Sequence, residues 1–268
     1  MCPIAEPLIL SLFLVAAIFC LFWLVYRQTD RLAVIDLFWA PGFVVIALVH
    51  VVYAPLTQAK LVFLGLLVLW ATRLTWYLAD RLLSHEHDDP RYQRMKDQGG
   101  APFRTSSLWK VFLLQAVIQW VLAVPVHVVM LSQVSNGVSV FWVSITVLVA
   151  LIGLTIETIA DFQMRRFQRI KRDAPKGAAP QLLDRGLWAW SRHPNHFGEA
   201  VFWFGLAGLA TVITGQWWCV LGPILLTAVM VKLSGVAMVD RHMSETRADF
   251  ETYRSKTSAF VLWPPKRS

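Results

Sequence analysis

The chain has 268 residues, 56% of them hydrophobic and 16% charged, with a formal net charge of +8. Soluble domains average ~25% charged residues, so these charges are too few to cover a water-facing surface. A mean hydropathy of +0.53 agrees and excludes a soluble enzyme, a disordered protein and a disulfide scaffold. What remains is an all-α integral membrane protein.

A membrane-crossing helix needs ~20 apolar residues. Seven segments reach or approach that length: 7–26, 33–53, 61–79, 108–132, 139–160, 198–214 and 216–235. The first is expected to be a membrane anchor and not a cleavable signal, because no Lys or Arg precedes Arg27. The last two are joined only by Thr214-Gly215-Gln216, with Gly215 breaking the run. With the N-terminus outside and the C-terminus cytoplasmic, 23 of the 25 Lys and Arg fall on the cytoplasmic side. The exceptions are Lys60, in an outside loop, and Arg73, inside the third segment. The positive-inside rule predicts this bias. It explains the basic charge without a nucleic-acid partner.

The expected architecture is one seven-helix domain over 1–268. Cytoplasmic loops 80–110 and 161–197 and a tail over 236–268 cap it. No internal repeat is visible, which weighs against a transporter fold. Cys2, Cys20 and Cys219 have no metal-ligand spacing, so no metal site is expected.

Ionisable and polar groups in membrane helices mark function by default. Asp36, Arg73, Tyr77, Gln115, Gln119, Glu157, Asp161 and Glu199 all fall in the cytoplasmic half of five segments. This pattern predicts one polar cavity open to the cytoplasm. Several sets recur every four residues, such as Glu157, Asp161 and Arg165, and so share a helix face. His50 and His127 fall toward the outside and read as interfacial or bundle histidines.

The densest motif runs from Asp184 to Glu199 and contains Ser191-Arg192-His193-Pro194-Asn195. Arg185-Gly186 reads as a turn, and Pro194 suits the first turn of a helix. Helix N-termini favour anions, so Arg192 and His193 form a candidate phosphate site. Asn195 and Glu199 lie one turn apart and suit a carboxamide. Upstream, five basic residues stand within the eight positions from Arg165 to Arg172. Asp88-Asp-Pro-Arg-Tyr92, Asp240-Arg241 and Tyr253-Arg-Ser-Lys-Thr-Ser-Ala-Phe-Val-Leu-Trp-Pro-Pro265 complete the motif set.

The run Gly-Leu-Trp-x-x-Ser-Arg-His-Pro-Asn-x-Phe-Gly-Glu resembles the signature of the steroid 5α-reductase-like membrane proteins. The tail motif, Asp88-Asp-Pro-Arg-Tyr92, Ile35-Asp36-Leu-Phe-Trp39 and Leu69-Trp70-Ala-Thr-Arg73 resemble their bacterial members, from about residue 34 to the end. The resemblance implies a seven-helix enzyme of a bacterial inner membrane that holds NADPH in a cytoplasm-facing cavity. It also implies that Asn195 and Glu199 meet the nicotinamide amide, and that Asp161, His193 and Tyr253 contact the cofactor. Arg165, Arg169 or Lys171 would meet its phosphates. Arg91 would lie near the pyrophosphate, with Arg192, Asp240 and Arg241 completing the set. Trp39 and Trp70 stand where eukaryotic members carry an acid and a tyrosine. The proton-donor candidates are therefore Asp36, Tyr77 and Tyr92.

The implied reaction is reduction of a carbon–carbon double bond conjugated to a ketone, in a Δ4-3-ketosteroid or similar hydrophobic enone. A donor at the carbonyl oxygen would stabilise the developing enolate. Aromatic walls including Trp39, Trp70 and Trp120 would suit a flat apolar substrate entering from lipid. Two alternatives are an S-adenosylmethionine-dependent membrane methyltransferase, which shares the Arg-His-Pro element, and a non-enzymatic transporter.

Overall fold

A computed structural model of the chain describes residues 4–84, 88, 90–134, 137–175, 181–234, 236–247 and 249–266. Cys2 and Asp89 lie outside the described residues, as does the side chain of Arg91. Among the described residues, six helices are long and apolar enough to cross a membrane. They are Ala5–Thr29, Leu32–Val51, Gln58–Ser84, Phe103–Leu122, Val140–Asp173 and Pro194–Thr214. The protein is therefore an all-α, multi-pass integral membrane protein. Its contacts divide it into two compact units, one of residues 1–143 and 209–222, the other of residues 144–208 and 223–268.

In the first unit, α1 (Ala5–Thr29) stops where Asp30 turns left-handed at φ 56° and its N–H returns to the Tyr26 carbonyl. A 3-10 turn over Leu32–Phe38 leads into α2 (Trp39–Val51). Next come α3 (Gln58–Ser84), α4 (Pro90–Gly99) and α5 (Phe103–Ser107). Loop 80–110 is thus largely helical. Lys60 is not in a loop. It lies in the first turn of α3, 2% exposed, and its Nζ donates to the Met130 carbonyl at 3.0 Å. That bond gives the buried ammonium an acceptor where water is absent.

The fourth predicted segment, 108–132, is not one helix. A π-helical stretch over Leu108–Leu113 precedes α6 (Leu114–Leu122), and α7 (Val124–Leu131) follows a break at Ala123. Pro125 explains the break. It has no N–H for the helical ladder, and its ring crowds the preceding turn. Gln119 donates its amide to the carbonyls of Phe38 and Trp39, where the 3-10 turn meets α2. Only glycine at 42 admits this contact, since a Cβ there would stand 2.1 Å from Gln119 Oε1.

The second unit holds all but the first four residues of α8 (Val140–Asp173), a helix that runs about 51 Å at 1.5 Å per residue. It passes residue 160, where the predicted span ends, by more than three turns. A 3-10 turn over Gly186–Ala189 leads to α9 (Pro194–Thr214), which starts on Pro194 as its fixed φ favours. The two helices pack antiparallel through glycines. A Cβ on Gly198 would meet the Glu157 N at 2.5 Å, and one on Gly205 would meet the Ala150 N at 2.5 Å. Small residues allow such approach in a membrane, where lipid tails are as apolar as leucine.

Gly215 (φ 74°) ends α9. In the structure the seventh predicted segment, 216–235, is a shorter apolar stretch over Trp217–Lys232, below the length of the six spans. It consists of a 3-10 turn (Trp217–Val220), α10 (Leu221–Val229) and a π-helical turn (Met230–Ser234). The tail forms α11 (Val236–Thr246) and α12 (Phe250–Lys256).

Candidate functional site

Each unit carries a polar cluster. In the first unit, the motif that begins at Asp88 closes over the start of the second span. The Asp88 carboxylate, 1% exposed, accepts the N–H groups of Leu32 at 2.8 Å and Ala33 at 3.2 Å. These donors have no acceptor within their own helix, so the carboxylate acts as a cap supplied from 55 residues away. Lys96 neutralises it at 3.1 Å and also donates to the Asp30 carbonyl at 2.9 Å. Four residues after Asp88, Tyr92 donates its hydroxyl to Asp36 Oδ1 at 2.5 Å. The structure thus brings together two of the three proton-donor candidates, Asp36 and Tyr92.

The third candidate, Tyr77, sits on α3 with the Arg73 guanidinium 5.9 Å from its ring centroid. Trp39, Phe43 and Trp70 form an edge-to-face aromatic ladder with 5.8 Å between successive rings, and Trp70 is fully buried. Trp120 is engaged elsewhere. Its Nε1 donates to the Leu8 carbonyl and Ser11 Oγ at 3.1 Å each. His50 and His127 pair with each other, 2.8 Å between ring nitrogens, and His127 Nε2 donates to the Trp120 carbonyl. They are bundle histidines, as their position predicts.

In the second unit, α8 and α9 bring acidic and amide groups together. Glu157 (2% exposed), Asp161 (4%) and Glu199 (8%) are buried carboxylates. The antiparallel register sets Glu157 beside Gly198, and Asp161 one turn further along α8, level with the start of α9. Asn195 stands in that first turn of α9, half-buried, one turn before Glu199. Its Oδ1 is buried and accepts no hydrogen bond among the described residues. The cluster is rich in acceptors, with Asn195 as its amide.

The Arg-His-Pro element is bound inward. Arg192 donates Nη2 to Asp240 Oδ2 at 2.6 Å, Nε to the same oxygen at 3.1 Å, and Nη1 to the Thr257 carbonyl at 2.7 Å. His193 Nε2 donates to Asp240 Oδ1 at 3.0 Å. Ser191 Oγ donates to the Phe260 carbonyl, and Arg192 N–H to the Ser258 carbonyl. Tyr253 donates to the Trp188 carbonyl at 2.6 Å, and Trp188 Nε1 to the Ala160 carbonyl at 3.1 Å. The element therefore ties the tail to the head of α9 and, through Trp188, to α8 at Ala160.

Charge follows from this geometry. Burial pushes the His193 imidazole below its ordinary value, and the Asp240 hydrogen bond recovers only part of the shift. Burial raises the Asp240 carboxyl, but the hydrogen bonds and charges of His193 and Arg192 outweigh it and hold it below the ordinary carboxylate value. A neutral His193 thus donates to an ionised Asp240. Burial drives the Tyr253 phenol upward, so it stays a donor.

The remaining basic residues are spread out. Arg169 is exposed, and Arg165 and Lys171 are half-buried on α8. Arg241 is 81% exposed and pairs with Glu245 at 3.2 Å. Sequence reasoning missed the capping role of Asp88 and its counter-charge Lys96. Asp88 precedes α4 (Pro90–Gly99), so no helical spacing in the sequence signalled its pairing with Lys96.

A family model described as "protein of unknown function (DUF1295)" matches residues 22–257. No curated protein and no solved structure matches the chain.

Proposed function

The chain belongs to the DUF1295 family, and from that premise we propose that it is an NADPH-dependent oxidoreductase reducing the conjugated double bond of a hydrophobic enone, a Δ4-3-ketosteroid or a similar lipid. One observation carries the reading: the buried, unpartnered Oδ1 of Asn195, one turn from the buried Glu199. An unmet buried acceptor costs ~1–3 kcal/mol. A carboxamide NH₂ is a donor of the kind it lacks. The nearby carboxylates of Glu157, Asp161 and Glu199 favour a ring that becomes cationic once oxidised. The motif resemblance from about residue 34 onward supports the same reading.

When bound, the cofactor supplies the hydride for the β-carbon. Asn195 and Glu199 orient its amide, and Arg165, Arg169 or Lys171 meet its phosphates. Arg192, His193, Asp240 and Tyr253 hold the head of α9 in place by the hydrogen bonds described above. Asp36 and Tyr92 are the proposed proton donors: the single phenol proton of Tyr92 is held by Asp36, so it reaches a substrate only when the hydroxyl turns from that carboxylate, and Trp39 and Trp70 supply apolar wall. We further propose seven spans, counting Trp217–Lys232, with the N-terminus outside and the polar ends cytoplasmic. That orientation follows the Lys and Arg bias.

One observation favours a second reading. Buried carboxylates also suit the sulfonium of S-adenosylmethionine, as a methyltransferase would need. Thermal protection of the purified protein separates the two. NADPH is expected to raise the melting temperature, and S-adenosylmethionine to leave it unchanged. The reverse result overturns the reductase.

A further inference from the structure

A groove of about 970 Å³ opens in the second unit, between the polar end of α8, the 181–189 segment and α12. Three exposed cations line it: Arg166, Arg185 and Lys256. Two carboxylates do so as well, Asp184 and Asp249, of which Asp184 stands 3.9 Å from Arg185. Lys171 and Arg247 add to the positive side. They lie near enough to repel each other, and Arg247 donates to Gln181, itself a lining residue. The Arg247 Nε is buried without a hydrogen-bond partner among the described residues. Phe167, Ile170, Leu182 and Leu183 supply apolar wall, beside the polar Gln163, Gln181, Thr252 and Thr257.

Its depth relative to the bilayer follows from α8. The apolar face of α8 ends near Asp161, and the groove begins at Gln163 and continues to Ile170. Seven steps of 1.5 Å make about 10 Å. A headgroup layer is ~5–8 Å thick on each side of the hydrocarbon core, so the groove straddles it. Two exposed tryptophans mark the same level. Trp190 is 46% and Trp263 is 68% exposed, and the Trp263 N–H donates to the Trp190 carbonyl at 3.1 Å. Trp190 follows the lining Ala189, and Trp263 stands two residues before the lining Pro265. Exposed tryptophans concentrate at membrane–water interfaces.

We propose that this groove is a binding site for an anionic phospholipid. Its phosphodiester meets Arg166, Arg185 and Lys256, and its glycerol and upper acyl chain lie along Phe167, Ile170 and Leu182. Basic pockets at the cytoplasmic face of membrane helices recognise acidic headgroups in this way. The three lining cations outnumber the two lining carboxylates, and Lys171 and Arg247 add to that excess, which favours an anionic headgroup; the apolar residues distinguish the ligand from a free phosphate. Arg166 faces this groove, whereas Arg165, Arg169 and Lys171 are absent from its lining. The cations proposed to touch the lipid phosphodiester thus differ from those proposed above for the cofactor phosphates, and Lys171 contributes charge from beside the groove.

The test uses the full-length protein in detergent. Native mass spectrometry follows retention of phosphatidylglycerol against phosphatidylcholine added at equal concentration. The wild type is expected to keep one phosphatidylglycerol, at least tenfold in preference. The triple variant Arg166→Gln, Arg185→Gln, Lys256→Gln is expected to lose that preference, while Arg172→Gln, an exposed α8 cation outside the groove, keeps it. Melting temperature confirms that the triple variant is folded, and single Lys256→Glu, with reversed charge, repeats the loss with one substitution. Equal retention of both lipids overturns the proposal, as does equal loss in Arg172→Gln. Displacement of phosphatidylglycerol by NADPH overturns it too, because the groove would then hold dinucleotide. A protein that binds no NADPH at all leaves the lipid result to be read by itself.

Discussion

Tyr92 donates a 2.5 Å hydrogen bond to Asp36, 56 residues earlier in the chain. The bond joins a loop motif to the first turns of a membrane span and fixes which group is donor and which is acceptor. The bond positions the phenol oxygen, and its one proton must turn from Asp36 to reach a substrate. General acid catalysis of this kind contributes typically 10²–10⁴-fold. Tyr92→Phe and Asp36→Asn are accordingly expected to lower enone turnover about 10²-fold. The NADPH dissociation constant should change little. Full turnover in both variants would remove the pair from the chemistry, leaving Tyr77 to be tested.

Asn195→Ala and Glu199→Ala should abolish the thermal protection given by NADPH. Both side chains stand in the first turns of α9, on either side of Gly198, and neither substitution alters the glycine contacts with α8, so helix content by circular dichroism should be unchanged. Normal protection in both would exclude them from cofactor recognition.

Asp240 holds Arg192 and His193 together (Arg192 and His193 side chains are 9% and 5% exposed). Removing one partner of a buried pair leaves a charge uncompensated and costs about 3 kcal/mol. Asp240→Ala should therefore lower the melting temperature far more than Arg241→Ala, whose pair with Glu245 is solvent-exposed and is worth ~0–1 kcal/mol.

The same knot sets a pH dependence. The folded His193 value lies below its ordinary 6.5, so the unfolded chain takes the proton first. Its contribution to stability is present above pH 6.5 and is lost as pH falls below it. The folded Asp240 value lies below its ordinary 3.8, and its contribution is lost only under stronger acid. Unfolding measured between pH 7.5 and 5 should show falling stability in the wild type and a flatter profile in His193→Gln. Identical slopes would place the titrating group elsewhere.

The α8–α9 contact should be intolerant of side chains. Gly198→Leu would drive a side chain into the Glu157 backbone, 2.5 Å from the Cβ. Overpacking costs ~1–3 kcal/mol even where neighbours yield, and backbone yields least. Gly65 has nothing within 4 Å of an added Cβ, so Gly65→Ala should be neutral or stabilising by less than ~1 kcal/mol. Yield of folded protein from membranes compares the two.

Several features were legible in the sequence because they depend on neighbouring residues alone. Apolar runs of sufficient length give the membrane spans, Pro194 starts α9, and Gly215 stops it. Burial of Glu157, Asp161 and Glu199 was also foreseeable, since carboxylates inside apolar segments have little else to face than protein. Other features needed residues far apart in the chain to meet. The break at Ala123 reflects Pro125, but the carbonyls that Gln119 serves belong to the second span, 80 residues away. Asp88 caps Leu32, Tyr92 reaches Asp36, and Asp240 gathers Arg192 and His193. None of these follows from spacing, because a hydrogen bond is specified by position in space and the chain between its partners carries no record of it. Composition and periodicity thus determined that the protein crosses the membrane and which polar groups are available. Only the tertiary structure decided which of them are occupied with one another and which, like the Oδ1 of Asn195, are left to meet something else.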